Sequence, residues 1–168
     1  MRFPCYPWEL RSLLTGKPTV GSLMDLCDEN YRLLLRLAPL LRNLRGCHRS
    51  TLAGSLDLHL EIQQQTPYTT LVHLTYLFSR DSGNTPDPDA LLRVYHDSCQ
   101  VEVIELKQHA LPLNSGIVLP TLEQKWRINL FLSKWLGYCV QQGHLFGRHS
   151  QRLSGETIDR RSDRAAAC

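Results

Sequence analysis

Two runs of strict alternation between Leu91 and Leu106, LLRVYHDSCQVEVIEL, face each other across a short polar centre. The pattern predicts a β-hairpin folded about Asp97 and Ser98. That register sets Tyr95 opposite Gln100, Val94 opposite Val101 and Arg93 opposite Glu102. Side chains alternate across a strand, so Leu92, Val94, Val101 and Val103 share one face, and Arg93, Tyr95, Gln100 and Glu102 the other. An earlier stretch, Ser55 to Ile62, sets Leu56, Leu58, Leu60 and Ile62 against Asp57, His59 and Glu61 and reads as a half-buried strand. Pro67, in QQQTPY, supplies a turn, after which a strand is expected from Thr69 to Phe78. Residues 79–90, SRDSGNTPDPDA, are nearly all turn formers and are expected to form a loop between two hairpins.

The period changes on either side of these strands. Ser22, with Asp25 three residues later, resembles a capping box and predicts a helix to Leu37, ended by Pro39. The consecutive Leu33, Leu34 and Leu35 imply a broad buried face. Gly46 to Gly54 reads as a loop. Thr121 is expected to cap a long helix to Gln142, with Ile128, Phe131, Leu132, Trp135, Leu136, Cys139 and Val140 recurring every three or four residues and Gly143 ending it in a left-handed conformation. The fold class that follows is α+β: a four-stranded antiparallel meander of two hairpins, packed against an N-terminal helix and a long C-terminal helix. Residues 1–20 form an arm whose Trp8 is expected to dock on the domain, residues 21–146 a single domain, and residues 147–168 a disordered polar tail.

Composition changes little in this picture. The 42% hydrophobic and 21% charged residues are ordinary globular values, and the net charge of +3 does not by itself mark a nucleic-acid binder. Its distribution matters more. Between Asn30 and Leu56 there is no Asp or Glu, whereas Arg32, Arg36, Arg42, Arg45 and Arg49 all fall there. The six cysteines form no CxxC pair and are read as reduced thiols. With no signal-peptide pattern and no run of roughly 18 apolar residues, the expected location is cytoplasmic, with no membrane partner.

Candidate chemistry is sparse. P-loop, dinucleotide, nucleophile-elbow and zinc-protease motifs are absent. His96 and Cys99, and Cys139 and His144, are incomplete as ligand sets, so neither a metal nor a cofactor is expected. Asp97 at a hairpin tip reads as a turn former whose side chain accepts a backbone N–H. Arg93, Tyr95 and Glu102 could form a polar floor for a ligand, with His96 nearby as a proton-transfer group. Arg36, Arg42 and Arg45 are the candidate anion-binding residues.

Four stretches together resemble the uncharacterised YqiB-like family of small proteobacterial proteins: LMDLCDENYRLLLRLAP, PYTTLV, RVYHDSCQVEV and QKWRINLFLSKWLGYCVQQG. They span most of residues 22–143. The resemblance implies no activity, because that family has none assigned. Its pattern includes a charged, His-containing start to the last helix, where this chain has LPTLEQKWRIN, so no shared catalytic centre is implied there.

The functional reading is a non-catalytic binding domain for a partner protein or an anionic small molecule. One alternative is a small enzyme with its site between the second hairpin and a helix, using Arg93, Tyr95, His96 and Glu102. The other is nucleic-acid binding through the Arg-rich segment 32–49, for which Tyr31 is the one aromatic residue nearby that could stack.

Overall fold

Thr19 opens the first helix one turn earlier than the Ser22 cap expected from the sequence. Its hydroxyl accepts from the Ser22 N–H at 3.1 Å, and Ser22 Oγ accepts from the Thr19 N–H at 2.8 Å. Ser22 is therefore the third helical residue of the capping box rather than its cap. This helix, α1, spans Val20–Leu37 and stops before Pro39, as expected. A computed structural model describes residues 18–80, 83–108 and 121–147. The expectations for the arm through residue 17 and for the tail from residue 148 lie outside the described residues.

Five antiparallel strands, rather than four, form one sheet: β1 (Gly46–Ser50), β2 (Leu58–Gln65), β3 (Thr69–Arg80), β4 (Gly83–Tyr95) and β5 (Gln100–Lys107). Their spatial order is their chain order. The extra strand is β1, where the residue pattern predicts a loop. It is an edge strand with only Ser50 buried, so it carries almost no alternation to read. Ser50 is held from outside the sheet: its Oγ accepts from the Leu145 N–H at 3.2 Å and lies 3.0 Å from His144 Nδ1.

The stretch expected as loop 79–90 is also largely strand. β3 continues to Arg80 and β4 begins at Gly83, forming a two-stranded arm beyond the rest of the sheet. Pairing of β5 with β4 ends at Asp89, so among the described residues Pro86 and Pro88 sit where β4 has no second neighbour. A proline there removes no ladder hydrogen bond on that side. Leu56, expected on the buried face, precedes β2 and is exposed.

The register of the second hairpin matches the expected one, with Arg93 opposite Glu102, Val94 opposite Val101 and Tyr95 opposite Gln100. Leu92, Val94 and Val101 join the core, with Val103 packed against it. The second helix, α2 (Leu122–Gln142), is capped by Thr121 in a capping box with Gln124 and ends at Gly143, whose φ of 95° is left-handed. Leu33, Leu34 and Leu37 of α1 and Leu132, Trp135 and Leu136 of α2 meet Leu58, Leu60, Val72, Leu74 and Leu92 of the sheet in one core. After Gly143 the chain turns back, burying Phe146 and donating its N–H to the Leu37 carbonyl at 2.6 Å. Among the described residues, no helix is long and apolar enough to cross a membrane.

One expectation about cysteine chemistry is corrected. Cys27, Cys99 and Cys139 are free, but Cys47 is disulfide-bonded. A pairing of this kind leaves no spacing signature in the sequence.

Candidate anion-binding site

The segment after α1 alternates anchors with arginines. Leu41 and Leu44 are buried three residues apart, while Arg42 and Arg45 remain exposed. A 3-10 turn at Leu41–Asn43 makes this spacing fit, since its side chains repeat every three residues. The leucines thus fix the backbone to the core and aim both arginines outward at the end of the sheet.

A bulge in β2 completes the corner. Ile62 faces the core, and the register then shifts between Ile62 and Gln64. Without that shift Gln64 would take the core-side phase; with it, Gln64 pairs with Leu71 and Gln65 pairs with the buried Thr70. Gln65 becomes the bracket of the site. Its Nε2 donates to the Arg42 carbonyl at 3.0 Å, to the Leu41 carbonyl at 3.4 Å and to Thr70 Oγ1 at 3.3 Å. Its Oε1 accepts from Arg45 Nη1, which also donates to the Arg42 and Leu44 carbonyls at 2.9 and 2.7 Å. Arg42, Arg45, Gln65, Thr66 and Pro67 together line a concavity of about 360 Å³. Among the described residues, no acidic side chain lines it.

His96 lies behind this corner. It follows Val94 by two residues and so takes the same, inward face, where it is 6% exposed. Its N–H donates to the Tyr68 carbonyl at 2.8 Å, and its Nε2 is 2.7 Å from Thr70 Oγ1. Burial pushes the imidazole below its ordinary pKa; the Arg42 charge pushes it the same way and Asp97 opposes them. Burial raises the Tyr31 phenol, with Cys99 acting in the same direction and Arg42 against it. Asp97 behaves as the expected turn former, its Oδ1 accepting from the Ser98 N–H at 2.9 Å.

The candidate residues of the second hairpin do not gather at one point. Tyr95 donates its hydroxyl hydrogen to Glu102 Oε2 at 3.2 Å, and Lys125 of α2 donates to Glu102 Oε1 at 3.2 Å. Arg93 is exposed across the register from Glu102, whose carboxylate Tyr95 and Lys125 share. His96 points to the opposite side of the sheet. Of the three candidate anion-binding arginines, Arg42 and Arg45 share the concavity; Arg36 sits in the last turn of α1, exposed, where a cation complements the helix C-terminus.

Two features were invisible in the sequence. Gln65 and Thr70 connect the arginines to His96 only because of the β2 bulge, which no residue pattern in QQQTPY announces. On the opposite face of the sheet, His73 stands between Glu61 and Asp89, its Nδ1 3.6 Å from Glu61 Oε2 and its Nε2 hydrogen-bonded to Asp89. With both ring nitrogens facing carboxylates, this group ties β2, β3 and β4 together and leaves no free nitrogen for a substrate.

Residues 33–145 match the family model described as "Protein of unknown function (DUF1249)". The chain is 32% identical over 131 residues to the uncharacterised protein YqiB of Escherichia coli (strain K12), covering 75% of this chain and 91% of that protein. The same figures hold for YqiB of Escherichia coli O157:H7. No solved structure matches the chain.

Proposed function

Because the chain belongs to the DUF1249 family of proteins of unknown function, we propose a role from its own geometry: a non-catalytic domain that binds an anionic small molecule in the concavity between Arg42 and Arg45. The observation that carries this reading is the shared lining by two arginines with no carboxylate beside them among the described residues. At about 360 Å³ the site is the size of a small-ligand pocket, toward the lower end of the usual range of roughly 300 to 1,000 Å³. Guanidinium groups suit carboxylate and phosphate oxygens, which they engage with two parallel hydrogen bonds. Arg45 is already braced by two carbonyls and Gln65, so less side-chain entropy is lost when an anion arrives. Arg42 supplies the exposed charge.

The enzyme alternative has weaker support, since His96 faces the core while Tyr95 and Lys125 both donate to Glu102 elsewhere. A nucleic-acid role would use Arg36 as well, and Arg36 is not part of the concavity.

Thermal melting in the presence of inorganic phosphate tests the proposal. A ligand at a hundred times its dissociation constant stabilises the folded state by about 2.7 kcal/mol. Phosphate is expected to raise the melting temperature of the wild type and to leave Arg42→Gln unmoved. An equal rise in both proteins would sink the assignment to this site. Binding that needs Arg36 and vanishes steeply with salt would favour nucleic acid instead.

A further inference from the structure

We propose that the Arg42 concavity takes up its anion together with one proton, and that the proton resides on His96. The inference rests on the anion-binding reading and adds to it a residue that touches no ligand. Its basis is a continuous run of hydrogen bonds from the wall of the concavity to the imidazole. Arg45 donates to Gln65 Oε1, Gln65 Nε2 donates to Thr70 Oγ1 at 3.3 Å, and Thr70 Oγ1 lies 2.7 Å from His96 Nε2. The other ring nitrogen, Nδ1, is buried and has no partner among the described residues.

Burial is the larger cost to an imidazolium, and the charges around the ring add to it or relieve it. Arg42, on the turn after α1, repels an imidazolium, and Asp97, in the ring's own turn, attracts one. β3 offers the uncharged Thr70 hydroxyl. Burial raises the Tyr31 phenol of α1, with Cys99 acting the same way, so it stays neutral. Among the described residues, the charge that opposes protonation is that of Arg42, which also lines the anion site.

An anion seated on Arg42 screens that repulsion, so the imidazolium costs less and a proton is drawn from solvent onto the ring. A hydroxyl accepts as readily as it donates, so Thr70 Oγ1 can receive the new Nε2–H once its own hydrogen rotates away from the ring. Thermodynamic reciprocity requires the converse: a protonated His96 places positive charge behind Arg42 and tightens anion binding by the same factor. Affinity is then expected to increase as the pH falls through the range in which His96 titrates.

The test is an NMR titration of the His96 ring in the full chain, with inorganic sulfate as the probe because its charge is constant across this pH range. Three samples are compared: wild type alone, wild type with saturating sulfate, and Arg42→Gln alone, with His96→Asn used to assign the resonance. The His96 midpoint is expected to rise with sulfate, matching sulfate binding roughly fivefold or more tighter at the acid end. It is also expected to rise in Arg42→Gln without any ligand, while the midpoints of His59 and His144 stay in place. Sulfate that perturbs the Arg45 and Thr66 amides but leaves the His96 midpoint unchanged would overturn the proton coupling and spare the anion site. An unmoved His96 in Arg42→Gln would overturn it as well. Sulfate that perturbs nothing at the concavity would overturn both readings.

Discussion

His59, His96 and His144 are withdrawn from water by different elements, and burial is the largest influence pushing each below the ordinary histidine value of 6.5. In the unfolded chain they would titrate near that value, so between the two limits the unfolded state binds more protons. Stability attributable to these rings is therefore complete above pH 6.5 and lost as the pH falls toward their depressed folded values. Urea unfolding at a series of pH values checks this. Stability is expected to fall on acidification below 6.5, with a shallower slope in His144→Gln, whereas a protein that gains stability with acid would refute the burial argument. The cysteines give a second prediction. Burial pushes the Cys27 thiol up to about 12 and Cys139 up to about 11, while Cys99 is exposed in the hairpin turn. The thiolate is the reactive form, so alkylation mapped by mass spectrometry should mark Cys99 well before the other two. Equal labelling of Cys27 in the folded protein would show that α1 opens readily.

The elements differ in how plainly their residues announce them. Both helices and the β4–β5 hairpin were legible because each buries one face and exposes the other, which imposes a period of 3.6 or 2 on the residues. β1 was not, because an edge strand with one buried residue has no period. The arm formed by the outer halves of β3 and β4 was missed for the opposite reason: its sequence is dominated by turn formers, and an edge position tolerates them. At the other edge, β5, a side chain of α2 takes up a free backbone N–H. Asn129 of α2 accepts from the Val103 N–H through Oδ1 at 3.3 Å, donates to the Lys125 carbonyl at 2.9 Å, and its carbonyl accepts from the buried Asn30 at 3.2 Å. Removing a partner from a buried polar group costs about 1 to 3 kcal/mol. Asn129→Ala is accordingly expected to destabilise by that amount in denaturant unfolding and to speed hydrogen exchange at Val103. A neutral effect on both would mean that α2 does not hold the edge.

In the whole molecule, the two helices cover one face of the sheet and leave polar residues such as Glu61, His73 and Asp89 on the other, which locates the core but not a site. The candidate site arises where three connections meet: the turn after α1, the β2–β3 turn and the β4–β5 turn. The arginines of this corner stood out in the sequence as a basic segment free of carboxylates. What the sequence did not contain was the bulge that turns Gln65 toward Thr70, because a bulge is a property of pairing between strands rather than of either strand. The same limit applies to the second hairpin: its register was readable, but the capture of Glu102 by Lys125 depends on where α2 crosses β5.

Calorimetric titration of inorganic phosphate into the full chain at low ionic strength bears most directly on the anion site. One binding event is expected in the wild type and in Arg93→Gln, and its loss, by tenfold or more in affinity, is expected in Arg42→Gln. The tenfold loss corresponds to about 1.4 kcal/mol, within the range of a hydrogen bond to a charged group. Phosphate binding that survives Arg42→Gln unchanged, or that disappears in Arg93→Gln instead, would contradict the placement of the site at this corner of the fold.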